Sequence, residues 1–141
     1  MDIGATEYVQ RVEELVREVS RSQLDQVRRA AELILASLRA DGVVQAFGSG
    51  HSEAIAMEIA GRAGGLIPTN RLSLRDLVLY GGEPPEILTR ELERDPTVAK
   101  RIYELAPVRQ QDVFVLISSS GVNGSIVEMA TLVKERGHPL I

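Results

Sequence analysis

VVQAFGSGHSEAIAMEIAGRAGG, residues 43–65, carries an apolar stretch into a glycine–serine turn and on into an alanine-rich helical pattern. Val43–Phe47 is short and apolar, with two β-branched residues at its start, and it reads as a buried strand. A helix follows from about 53 to 63, and Gly64-Gly65 ends it. The turn between them, Gly48-Ser49-Gly50-His51-Ser52, holds no large apolar side chain. A strand that opens through such a turn into a helix is the first half of a βα unit.

The same arrangement returns near the C-terminus. DVFVLISSSG, residues 112–121, begins with a nearly continuous apolar run of the kind buried in parallel sheets. It opens into Ser118-Ser119-Ser120-Gly121-Val122-Asn123-Gly124, and a helix follows over about 124–136 with Ile126, Met129, Ala130 and Val133 facing inward. Between the two units, LIPTN (66–70) reads as a second strand. A less regular region then carries a short apolar stretch at Leu77–Tyr80, a Gly81-Gly82 turn, Pro84-Pro85 and a helix around Thr97–Glu104. His138-Pro139-Leu140-Ile141 reads as the start of one more strand, with His138 as a surface residue.

Ahead of all this, residues 5–39 are helical in pattern. Val9, Val12, Val16 and Val19 form one stripe; Leu24, Val27, Ala31, Ile34, Leu35 and Leu38 form another. The phase slips near Ser20-Arg21-Ser22, which predicts two helices or one long helix broken there. The stripes suit either internal packing or a partner subunit.

The 141 residues are enough for one domain with a core. A net charge of −4, with arginines and the two lysines (Lys100, Lys134) scattered, gives no basic surface for nucleic acid or an anionic membrane. No apolar run is long enough to span a bilayer, and MDIGATEYVQ lacks a signal-peptide layout. There is no cysteine, hence no thiolate nucleophile or disulfide framework. A cytoplasmic location is the default expectation.

In an open parallel sheet, ligands bind beyond the carboxyl ends of the strands. A helix N-terminus there presents unpaired N–H groups and a partial positive charge, which suits a phosphate. Glycines let the backbone approach the anion, and small polar side chains add donors without bulk. The first turn is not a dinucleotide fingerprint: Gly48 and Gly50 fit G-x-G-x-x-G, but Glu53 stands at the last position. Such turns also serve as plain caps. The pair of turns in the same context is what points to a ligand.

FGSGHS followed by RAGG, and later VLISSSGVN, resemble the sugar isomerase (SIS) domain of phosphosugar isomerases and phosphosugar-binding proteins, above all the phosphoheptose-isomerase-like group. The resemblance covers about residues 5–141. It implies a flavodoxin-like three-layer fold around a five-stranded parallel sheet. The chain stops at Ile141 as a fourth strand begins, so the expectation is an N-terminal helical segment (1–40) and an α/β domain (41–141) lacking its C-terminal strands. It also implies a sugar phosphate as ligand, a homodimer or higher oligomer, and phosphate contacts from Ser52 and from Ser118, Ser119 and Ser120. Asn123 stands where several relatives carry Ser or Thr. With Gly48, Ser49 and Gly50 these make up the expected binding set.

Aldose–ketose interconversion needs a base and an acid near neutrality. His51, in the first turn, can accept and donate a proton there, although capping the helix or donating to the phosphate is an equal use for it. Glu58 lies off the Ile55/Ile59 face; it is a plain surface carboxylate unless, as the resemblance suggests, it reaches the sugar. Its pairing with Arg62 one turn on is a routine helix stabiliser. No cofactor is called for. Metal-dependent relatives use a histidine and glutamates, but no His/Glu cluster with metal spacing stands out here. Neither lysine falls on a site motif, so a Schiff base is not indicated. The sequence thus predicts a sugar phosphate isomerase, or a non-catalytic phosphosugar-sensing module built on the same loops.

Overall fold

The computed structural model describes residues 4–141. It divides into two compact units, with the boundary between Leu33 and Ile34. The first unit is helical. α1 (Ala5–Ser22) and α2 (Leu24–Arg39) meet at Gln23, where the predicted phase slip becomes a break. The Gln23 N–H still bonds to the Val19 carbonyl and its own carbonyl accepts from Val27, so only one residue leaves the helical path. Along α1 the stripe Val9, Val12, Val16 and Val19 is exposed.

The second unit, entered through the end of α2, is built on a parallel sheet of β1 (Val44–Gly48), β2 (Thr69–Leu72) and β3 (Val113–Ile117), in the order β2-β1-β3. The central strand β1 is buried along its whole length, as its apolar run predicts. Around the sheet lie α3 (Glu53–Gly61), the single turn α4 (Asp76–Leu79), α5 (Thr97–Leu105) and α6 (Gly124–Glu135). One sheet face packs its core: Phe47, Leu72 and Phe114 from the three strands meet Leu77, Ile102 and Met129 from α4, α5 and α6. The alternate positions Val44, Ala46 and Val113 point to the opposite face. Leu140 makes one parallel bridge to Phe114, the beginning of the further strand expected at the C-terminus. No helix among the described residues is long and apolar enough to cross a membrane.

β2 lies later than predicted. Leu66 and Ile67 look like strand residues but are exposed, and Pro68 has no N–H to give a ladder. The Pro68 carbonyl instead accepts from Val44, and pairing begins at Thr69 opposite Val44. As a one-sided edge strand, β2 tolerates the polar Thr-Asn-Arg sequence.

The sheet is held in register by a buried polar chain. Asp112, just before β3 and fully buried, accepts from the Val43 N–H (2.9 Å), the Arg109 N–H (3.0 Å) and the Gln45 amide (2.8 Å). Gln45 in turn accepts from the Asn70 amide at 2.8 Å, so one connected line of side chains crosses all three strands. His138 is a correction to the sequence reading: it is buried, not at the surface. Its Nδ1 lies 3.2 Å from the Asp112 carbonyl, which only accepts, so Nδ1 carries the proton and Nε2 accepts from the Tyr103 hydroxyl at 2.7 Å. The partner that draws it inside is 35 positions away in sequence.

Replacing Asp112 with alanine leaves one buried and two partly buried donors without an acceptor. The expected cost is about 3 kcal/mol of unfolding free energy in denaturant titration, and less for Asp112→Asn, which keeps an acceptor.

Candidate functional site

The pairing of β1 with β3 sets Gly48 opposite Ile117. Both strands therefore end level, on neighbouring positions about 4.8 Å apart, and both glycine–serine turns leave from the same edge of the sheet.

The first turn is a 3-10 turn, Gly50–Ser52, that runs straight into α3. Gly48 is required by close approach: a Cβ there would lie 2.6 Å from the Ser52 carbonyl oxygen. Gly50 has φ +56°, a conformation that favours glycine. The Ser52 N–H bonds to the Ser49 carbonyl at 3.2 Å. Ser49 is buried, Ser52 half-buried and His51 exposed. In the second turn the Ser118 hydroxyl accepts from the Gly121 N–H at 2.9 Å, giving Ser118 a turn-closing role. Ser118, Ser119 and Ser120 are exposed, and Asn123 is the residue that precedes α6. Among the described residues the side chains of Ser49, Ser52, Ser119, Ser120 and Asn123 make no hydrogen bond within the chain.

A cleft of about 750 Å³ adjoins the first turn. Gly50, His51, Glu53, Arg75, Thr89 and Glu93 are among its walls. Of the residues singled out by sequence, the structure brings His51 and Gly50 to this cleft. It does not bring Glu58, which is exposed on α3 and pairs with Arg62 at 3.0 Å, nor the second turn.

Three features escaped the sequence reading. Ser73, fully buried where the chain leaves β2, donates to the Glu53 carboxylate at 2.7 Å, and Arg71 stands 3.8 Å from the same oxygen. The start of α3 is thereby tied to the end of β2. Asp76 accepts from the Ser73 N–H at 2.8 Å. Burial pushes the Asp76 carboxyl above its ordinary range, opposed by that N–H and by Arg71 and assisted by Glu53. The signal for this pair was its Ser-x-x-Asp spacing, which matches a capping box. The third feature is the 3-10 turn Leu92–Arg94. Its Glu93 carbonyl accepts from the Ser125 hydroxyl at 2.7 Å, and Gly124 lies so close under Arg94 that a Cβ would collide with the Arg94 carbonyl. Its Glu93 carboxylate reaches the other way, to Gly50. This short turn bridges the first loop and the start of α6.

Among the described residues there is no group of three or more His, Cys, Asp or Glu side chains placed to hold a metal ion.

Residues 7–141 match the SIS domain family. The chain belongs to that family. This SIS domain is 34% identical over 134 residues to the UPF0309 protein lmo0025 of Listeria monocytogenes, covering 95% of this chain and 52% of that protein. It is 31% identical over 131 residues to the UPF0309 protein GK1441 of Geobacillus kaustophilus, covering 93% and 51%. The chain thus spans about half the length of the curated relatives it matches. Among solved structures it is similar to phosphoheptose isomerase GmhA from Neisseria gonorrhoeae, with a TM-score of 0.73 at 24% identity over 96% of this chain and 70% of that one. The fold is shared: a parallel sheet flanked by helices, a reduced flavodoxin-like SIS arrangement.

Proposed function

We propose that this SIS domain binds a sugar phosphate between its two glycine–serine loops and interconverts the aldose and ketose forms. The observation that carries the reading is the level exit of the two loops from β1 and β3, each opening a helix. In it, the backbone of Gly48, Ser49 and Gly50 with the Ser52 hydroxyl would hold one side of the phosphate. Ser119, Ser120 and Asn123 would hold the other, on a turn that Ser118 closes. Oriented N–H groups and neutral donors suit a dianion because they bind charge without a mobile counter-ion. His51, exposed in the cleft that adjoins the first loop, would move the proton between sugar oxygens. The resemblance would add Glu58 as base. The matched structure is named as a phosphoheptose isomerase, which makes heptose and hexose phosphates the first ligands to try.

A second reading, a phosphosugar sensor without catalysis, draws on the position of Glu58, which faces solvent in an ion pair with Arg62. A homodimer or higher oligomer belongs to either reading, and the exposed valine stripe of α1 supports it; sedimentation as a monomer at micromolar concentration would remove that part.

Thermal unfolding against a panel of sugar phosphates, the matching free sugars and inorganic phosphate tests the binding claim. A sugar phosphate at a hundred times its Kd should stabilise the protein by about 2.7 kcal/mol. The free sugar should do nothing, and Ser52→Ala with Ser120→Ala should erase the shift. An unchanged shift in that double variant would refute the loop assignment. Binding with no conversion of any sugar phosphate bound would leave the sensor reading.

A further inference from the structure

We infer that Glu93 is the catalytic carboxylate of this cleft, the group that removes and returns the carbon-bound proton; the inference rests on the isomerase reading above.

Gly50 sits in the first loop with its missing side chain directed at Glu93: a Cβ built there would lie 2.8 Å from Glu93 Oε2. The carboxylate therefore stands beside the loop expected to hold the phosphate, in the wall of the cleft that adjoins that loop. Its backbone is fixed from the other side. The Glu93 carbonyl is bonded to Ser125, and Arg94 lies against Gly124, a position that admits no side chain. The half-buried Glu93 is thus held by main-chain contacts at the junction of both loops, while its carboxylate makes no hydrogen bond or ion pair among the described residues.

The other carboxylates are differently placed. Glu53 lines the same cleft, but the Ser73 hydroxyl and Arg71 occupy one of its oxygens. Asp76 is turned inward onto the Ser73 N–H. Glu58 is on the solvent side of α3 with Arg62. A general base needs an accessible lone pair and freedom to become protonated. Of these four carboxylates only that of Glu93 has both oxygens without a hydrogen-bond or ion-pair partner among the described residues, and His51 shares its cleft.

The step is balanced within substrate and protein. The Glu93 carboxylate takes the proton from the carbon next to the carbonyl, and that C–H electron pair forms the carbon–carbon double bond of an enediol as the carbonyl oxygen gains a proton by way of His51. The other hydroxyl of the enediol then gives its proton to His51, restoring the one that His51 had donated, and its O–H electron pair forms the new carbonyl as the enediol double bond opens toward the adjacent carbon. The Glu93 carboxylic acid returns its proton to the adjacent carbon. No oxidant or reductant enters.

The test is proton exchange in deuterium oxide, followed by NMR, with a hexulose phosphate and a heptulose phosphate as probes. Thermal shift by the same compounds is measured alongside. Wild-type protein should wash deuterium into the carbon adjacent to the carbonyl. Glu93→Gln should slow this by about a hundredfold or more, Glu93→Asp should restore part of it, and the thermal shift should stay equal or grow, because a negative charge beside the phosphate is gone. Since Glu93 is docked by its main chain, Glu93→Gln should unfold at the wild-type temperature. Exchange within about twofold of wild type in Glu93→Gln overturns the assignment to Glu93 and leaves the isomerase reading standing. So does exchange lost only in Glu58→Gln. Joint loss of binding and exchange in Glu93→Gln makes Glu93 a binding residue and also overturns it. Wild-type protein that binds a probe but never exchanges its protons, or binds none, defeats the isomerase reading and Glu93 with it.

Discussion

One fully buried carboxylate sets the geometry of this SIS domain. Asp112 gathers two backbone N–H groups and the Gln45 amide at the start of β3, and through Gln45 it reaches Asn70 on β2. A side chain that must satisfy that many partners in the dry interior tolerates one register only. That register places Gly48 opposite Ile117, and the level exit of the two loops follows from it. The polar chain lies toward the amino ends of the strands and the loops at their carboxyl ends. The edge proposed to bind the phosphate is therefore specified from the opposite end of the sheet.

The three strand exits are also cross-linked around the cleft. Ser73 and Arg71 tie β2 to the first residue of α3 through Glu53. The Leu92–Arg94 turn ties the first loop to α6. Glycine is needed where these ties are tightest, at Gly48 and Gly124, because main chain approaches main chain there. Small residues at the top of the sheet let the loops pack on their neighbours, and in the proposed function they also leave room for an anion. Either use alone would explain some of them, and the free hydroxyls of Ser52, Ser119 and Ser120 are better explained by the second.

The strand–turn–helix units were legible because their signals are local. β1 is mainly apolar, with Gln45 as its one polar side chain, and is buried on both faces; α6 shows its inward residues at helical spacing. β2 was misplaced because Leu66 and Ile67 carry strand-like side chains while the ladder forms on the polar residues after Pro68. An edge strand is defined by its backbone pairing more than by its side chains. His138 was misread because its partners, Tyr103 and the Asp112 carbonyl, come from distant parts of the chain. The same reason hid Ser73 and Glu93. Nothing in ELERDP announces that its second glutamate, Glu93, will reach a glycine more than forty positions earlier, since only the return of the irregular segment over the sheet brings them together.

The central claim is that both loops hold one anion. A nitrogen–proton correlation titration with a sugar phosphate reads it at the backbone amides themselves. If both loops hold one anion, the amides of Gly50, His51 and Ser52 move together with those of Ser119, Ser120 and Gly124 along a single saturation curve. Movement of one loop alone, or two curves with different midpoints, would contradict it.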